Sequence, residues 1–253
     1  MRRFELSKWY LDVVAPDGRC AIVYVARLRL GPLTLHVQGL LRAGPRGVET
    51  RWSVLPARAP RRVGRGLRLA CPGLGVRAAL DPLDPPFERR LHGAGGGALD
   101  WRCLLPRAEV ELTAGGETLR GLGYAEQLHL TLPPSALPIQ TLRWGRLLSP
   151  AGGLVWIGWD GPAPLRLTLR DGRPAAAGAI SDRAVQAAGA HHLLRRERTL
   201  RDAPLSCTAR GLAAPVRALL PRATLALREE KWLSSGAVAG APGFAIHEVV
   251  EWP

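Results

Sequence analysis

Acidic side chains on otherwise apolar strand faces are the residues of this sequence that could do chemistry. In Tyr124-Ala-Glu126-Gln-Leu128-His-Leu130-Thr-Leu132 the even positions read Tyr, Glu, Leu, Leu, Leu. On one unbroken strand Glu126 therefore points to the side of the leucines. Tyr10, Asp12 and Val14 repeat the pattern near the start, and Phe244, Ile246, Glu248, Val250 and Trp252 repeat it near the end. A carboxyl group on such a face is costly unless it is paired, hydrogen-bonded or protonated. Desolvation raises a carboxyl pKa, which is how the group becomes a general acid near neutral pH. The alternative is a buried ion pair with an arginine such as Arg143 or Arg146, since ion-pair networks also perturb titration. A β-bulge within the run, after Glu126, would turn it away from the leucines.

The sequence holds eight tryptophans against three Phe and three Tyr, so indoles dominate its aromatic surface. Trp144, Trp156 and Trp159 fall in one short segment, and Trp9 follows Lys8 near the start. Several indoles around a cavity make an apolar wall, and their π faces stabilise a carbocation. Ordinary core filling is the competing account. Trp9, Trp144 and Trp159, with Asp12 and Glu248, are the candidate substrate-binding residues. His191 and His192 are adjacent, so on a strand they point apart. Cys20, Cys71, Cys103 and Cys207 are scattered and form no CxxC pair, so no metal site and no cofactor is expected. Gly93-Ala-Gly-Gly-Gly97 lacks the spacing of a dinucleotide fingerprint, and no nucleophile elbow or P-loop occurs.

These side chains must be positioned by strands. Pro16-Asp17-Gly18 separates two apolar runs, and Asp-Gly recurs at 160–161 and 171–172, with Gly115-Gly116 doing similar work. Such pairs tolerate the positive φ of tight hairpin turns. Alternating runs lie between them, such as Leu33-Thr-Leu-His-Val37 and Leu165-Arg-Leu-Thr-Leu169. Strict alternation implies antiparallel sheets with one buried and one wet face. Short helices are expected only from Ser181 to Ala188 and from Pro215 to Leu220. The Pro133-Pro134 to Pro138 stretch divides the chain into halves, 1–135 and 136–253. The pairs Lys8-Trp9 and Lys231-Trp232 echo one another across the division.

Within 253 residues, 47% are apolar and 22% charged, enough for packed cores and against disorder. The net charge of +14 raises nucleic acid as a partner. However, nearly all of the basic residues are scattered arginines, as GC-rich coding would give. The clusters at Arg61, Arg62, Arg65 and Arg68, and at Arg195, Arg196, Arg198 and Arg201, lack interleaved aromatic residues. They read as solvated rims, and no nucleic-acid partner is expected. No run approaches a membrane span and Met1-Arg2-Arg3-Phe4-Glu5 begins no signal peptide, so a cytoplasmic protein is expected. Peripheral membrane contact and oligomeric state stay open.

Gly121-Leu-Gly-Tyr-Ala-Glu-Gln127, followed by Leu142-Arg-Trp-Gly-Arg146, resembles the lipocalin-like superfamily of carotenoid 1,2-hydratases (hydroxyneurosporene synthases). Tocopherol cyclases and fungal decalin-forming Diels–Alderases are similar to it. The hydratase segment reads roughly Gly-x-Gly-Tyr-His-Asp-His, with a Trp-Gly-Arg element after a gap. The resemblance implies an all-β fold of two lipocalin-like antiparallel barrel or sandwich domains side by side, with pockets for long apolar molecules. It also implies that Glu126 protonates an alkene, with Tyr124 and Arg146 orienting it and Trp144 nearby. Ala125 and Gln127 stand where the family has histidines. The expected protein is a cofactor-independent hydratase or cyclase acting on an isoprenoid or polyene. The alternatives are a carrier of a lipid or pigment, or an interaction protein whose pockets are filled by its own side chains.

Overall fold

The computed structural model describes residues 4–204, 206 and 226–252. The chain folds into two compact units, Met1–Leu137 and Pro138–Pro253, and both are built of antiparallel strands. In the first, the strands are β1 (Phe4–Val14), β2 (Cys20–Leu30), β3 (Leu33–Gly44), β4 (Gly47–Ser53), β5 (Arg61–Val63), β6 (Gly66–Cys71), β7 (Val76–Pro82), β8 (Phe87–Ala94), β9 (Gly97–Ala114) and β10 (Glu117–Leu130). They form one ten-stranded sheet in the order β4-β3-β2-β1-β10-β9-β7-β6-β5, with β8 also paired to β9.

The second unit contains β11 (Thr141–Ser149), β12 (Gly152–Asp160), β13 (Leu165–Arg170), β14 (Arg173–Ala175), β15 (Ala177–Ile180), β16 (Ala184–Ala187), β17 (Ala190–Leu193), β18 (Arg195–Pro204), β19 (Arg228–Val238) and β20 (Ala241–Glu251). Seven strands run β14-β13-β12-β11-β20-β19-β18, and β15-β16-β17 form a separate three-stranded sheet. The protein is all-β.

Turn chemistry explains the hairpins. Gly115 and Gly116 take φ of 60° and 82°, and Asp171 and Gly172 take 50° and 74°. Two consecutive positive φ values match the twist of the strands they join. Gly95 and Gly96, at 57° and 77°, close β8 onto β9 in the same way. The Asp160-Gly161 pair differs. Gly-Pro-Ala-Pro joins β12 to β13 there, and proline cannot donate to a tight ladder. The helix expected from Ser181 is also absent. The Ser181 hydroxyl receives the N–H of Ala184 at 3.0 Å and closes a hairpin between β15 and β16. A cap-forming serine serves a turn as well as a helix. Cys207 and the expected helix at Pro215 to Leu220 lie outside the described residues.

The expectation of one wet face fails at the centre of each sheet. Residues 10–15 of the first unit and 152–159 of the second are consecutively buried, so both faces are covered. In the first unit one face carries Leu11, Val13, Val23, Leu40, Val110 and Ala125, packed into an aliphatic core with β6 and β7. Tyr10, Asp12, Tyr124 and Glu126 project from the other face, as strand alternation requires. In the second unit Leu147, Leu154, Trp156 and Ala245 pack with Ile180, Val185 and Ala187 of the small sheet.

The arginine cluster on β18 is not a purely solvated rim. The Arg196 guanidinium lies 3.6 Å from the Trp232 ring centroid, and Arg201 pairs with Glu229 at 3.1 Å. The Arg61 and Arg62 side chains are exposed.

Candidate active site

Glycines fix where β10 lies. A Cβ on Gly121 would run into the Val14 carbonyl, and one on Gly123 into the Asp12 carbonyl and Val110. These motif glycines let β1 approach, and β1 then pairs with β10 without interruption from Leu6↔Leu130 to Val14↔Leu122. Since β10 itself is unbroken on that side, Glu126 keeps the face of Leu128 and Leu130. The irregularity lies on β9. Gly123 faces Ala108, Ala125 faces Leu105 and Glu126 faces Cys103, so β9 carries the extra residues. Pro106, which has no N–H to give a ladder, falls within that stretch.

This register assembles a cluster around Glu126, which is 4% exposed. Trp101 donates its indole N–H to Glu126 Oε2 at 2.6 Å, and Tyr124 donates its hydroxyl to the same oxygen at 2.8 Å. On β1, Tyr10 donates to Asp12 Oδ2 at 2.9 Å. Asp12 is 1% exposed. The rings pack edge on: Tyr10 and Tyr24 at 5.4 Å, Tyr10 and Tyr124 at 6.0 Å. Trp52 stacks on Tyr24 in space that Gly39 leaves open, and Lys8 Nζ lies 5.3 Å from the Tyr24 centroid. Burial raises the Tyr124 hydroxyl pKa well above its usual value, and the Cys103 and Glu126 charges add to this. Tyr124 is thus held as a proton donor. Burial likewise pushes the Cys103 thiol far up, so it stays neutral.

Arg146, Trp144, Trp159 and Glu248 belong to the second unit. Lys231, Glu248 and Trp144 sit side by side on β19, β20 and β11. Lys231, 2% exposed, forms ion pairs with Glu248 and, at 3.0 Å, with Glu229. Here the ion-pair account holds for the half-buried Glu248, with a lysine as the partner. Arg146 is fully buried and donates to the Phe244 carbonyl at 2.8 Å. Trp159 donates to the Ala163 carbonyl at 2.7 Å. Arg143, a sequence candidate for pairing with Glu126, binds Asp160 and Asp182, each at 3.0 Å.

On the second unit's other face, Gly145 makes room for the Trp156 ring against His247. Ser234 Oγ lies 2.8 Å from His247 Nε2. Burial drives the His247 pKa down to about 4, aided by the charge of Arg196.

Trp9 stands apart from Glu126. It packs against the aliphatic core on the opposite face of β1 and lines a cleft of about 480 Å³ with Phe87, Leu104 and Gln127. Two other clefts, of about 380 and 710 Å³, are lined by Arg61, Arg68 and Arg77 and by Arg19, Arg42 and Arg46. None of these three has Glu126 in its wall. Among the described residues no three His, Cys, Asp or Glu side chains are grouped to hold a metal ion. No described helix is long and apolar enough to cross a membrane.

Sequence reasoning missed Trp101, Cys103 and Lys231 as parts of these clusters. Lys231 carried a signal: it is one of only two lysines in an arginine-rich chain, and the other, Lys8, sits beside Tyr24. Trp101 carried none, because the β9 register decides its place.

No family model and no curated protein matches the chain by sequence. Solved structures do match. A protein of provisional designation AttH from Nitrosomonas europaea aligns over 98% of this chain and 92% of its own, with TM-score 0.56 and 12% identity. Kievitone hydratase from Nectria haematococca aligns over 97% and 88%, with TM-score 0.53 and 13% identity. CghA in complex with Sch210972 aligns over 98% and 89%, with TM-score 0.54 and 13% identity. The fold is shared. At such identity the likeness extends to architecture over nearly the whole chain and leaves the chemistry to the residues.

Proposed function

We propose that this protein is a cofactor-independent acid catalyst of the hydratase or cyclase kind, acting on an apolar isoprenoid or polyene with Glu126 as the general acid. The observation that carries the reading is the pair of donors on one oxygen. Trp101 and Tyr124 both donate to Glu126 Oε2 and fill the two lone pairs of a carbonyl oxygen, so in the neutral acid this reading requires the proton is carried on Oε1. That proton adds to an alkene carbon, the π pair forms the new C–H bond, and the adjacent carbon becomes cationic. The electron-rich faces of Tyr10, Tyr124 and Trp101 stabilise the cation. Water then adds and loses a proton, or a second alkene closes a ring and a proton returns to the carboxylate. A positioned acid supplies roughly 10²–10⁴-fold, and holding the polyene in a reactive conformation supplies the rest. The shared fold supports this class, since one of the structures with that architecture is a hydratase by name.

The test is incubation of wild type and Glu126→Gln in D₂O with geraniol, farnesol and squalene, followed by mass spectrometry. Wild type is expected to give products carrying deuterium on carbon, and the variant none. Equal product from both would remove Glu126 from the mechanism. Retention of an isoprenoid by both, with no turnover, would make the protein a carrier.

A further inference from the structure

We infer a second binding site in the first unit, in the cleft lined by Trp9 and Gln127, for an apolar molecule ending in a single carboxylate. Strand alternation puts Glu126 and Gln127 on opposite faces of β10, and the cleft takes in Gln127 together with Cys103 and with Phe87, whose ring lies 6.0 Å from that of Trp101. Gln127 pairs with Trp9 on β1 and with Arg102 on β9, and Arg102 pairs with Glu88 on β8. That row forms one wall of the cleft of about 480 Å³, which lies within the range of small-molecule sites.

The floor of the cleft is apolar. Trp9 and Leu104 pack directly on the aliphatic core, and Leu67 is a buried member of it. Pro60, Pro86 and Phe87 extend this surface outward, so a hydrocarbon body is desolvated there.

The rim is charged. Arg102 is held by Glu88 at 3.4 Å and is thereby balanced. Arg62 makes no ion pair with any described residue, so the rim has one surplus positive charge. A monoanion matches that surplus, and a guanidinium presents parallel N–H donors that suit a carboxylate. The Gln127 amide adds a neutral polar contact.

The experiment is calorimetric titration of the full chain with decanoate, decanol, decyl phosphate and decyltrimethylammonium. Decanoate is expected to bind at least tenfold more tightly than decanol and decyltrimethylammonium, and no more weakly than decyl phosphate. Arg62→Glu is expected to abolish the preference over decanol while leaving decanol affinity unchanged. Trp9→Ala should weaken decanoate and decanol alike. Glu126→Gln should leave decanoate affinity as in wild type, so this site and the proposed chemistry stand or fall separately. Equal affinity for decanoate and decanol, tighter binding of decyl phosphate, or an unaltered preference in Arg62→Glu would each overturn the assignment.

Discussion

Asp12 and Glu126 occupy equivalent places on two antiparallel strands. Tyr10 faces Glu126 across the β1–β10 pair, and Tyr124 faces Asp12. Each tyrosine donates to the carboxyl two residues ahead on its own strand, at 2.9 and 2.8 Å. The arrangement has a local two-fold symmetry that Trp101 breaks, because the indole donates to Glu126. Two carboxyls in unlike surroundings are the usual basis for separating an acid from a base.

Removing either tyrosine hydroxyl should cost stability, but only one should cost chemistry. Tyr124→Phe and Tyr10→Phe each take a donor from a buried carboxyl, at about 1–3 kcal/mol. Urea unfolding should show losses of that order for both. Product formation should fall at least about tenfold in Tyr124→Phe, given the weight of a positioned acid. Tyr10→Phe should retain most of it. Equal activity losses would put the acid elsewhere.

Alanine at the site glycines should sort them by what stands in the way. At Gly123 the obstacle is the Asp12 backbone carbonyl, which cannot swing aside. At Gly39 it is the Trp52 ring, which can. Gly39→Ala should cost about 1–3 kcal/mol as an overpacking change and alter the near-ultraviolet dichroism of Trp52 on Tyr24. Gly123→Ala should be the more severe of the two and lower the yield of folded protein.

Lys231→Met should destabilise the chain by about 3–5 kcal/mol, since it leaves the buried Glu229 and the half-buried Glu248 without their shared cation. Arg201 still pairs with Glu229 in that variant. Changing Lys231 and Glu248 together to Met and Leu should recover most of the loss. Thermal melts of the two variants make the comparison.

His247 gives the fold a pH dependence of known sign. Its pKa is about 4 in the folded chain against an ordinary value of 6.5. Between those values the unfolded chain binds a proton that the folded chain does not, so stability falls as pH drops from 6.5 toward 4. The loss is on the order of 3 kcal/mol at the lower end. His247→Asn, which keeps a polar group for Ser234, should lack this component in urea titrations run across that window.

Much of the fold was legible because it is written in local chemistry. Gly115-Gly116 and Asp171-Gly172 demand positive φ, and runs such as Leu165 to Leu169 alternate. The place of Glu126 was also legible, since a parity argument needs only that β10 be unbroken on the side that meets β1. Alternation could not reveal that both faces are covered, because the pattern of one strand does not record what packs upon it. Ser181 misled because its side chain satisfies a backbone N–H in a turn as readily as at a helix start.

The sequence by itself determined the strands, their turns and the side of β10 on which Glu126 stands, all consequences of period-two geometry and backbone freedom. Only the tertiary structure decided what meets that carboxyl. Had the register of Gly123 with Ala108 run on, Leu105 would face Glu126. The extra residues of β9 bring Cys103 there instead, with Trp101 beside it. Tertiary packing likewise gave Glu248 to Lys231 and Arg143 to Asp160 and Asp182. Such pairings depend on register and strand order across long separations, which local propensity does not encode.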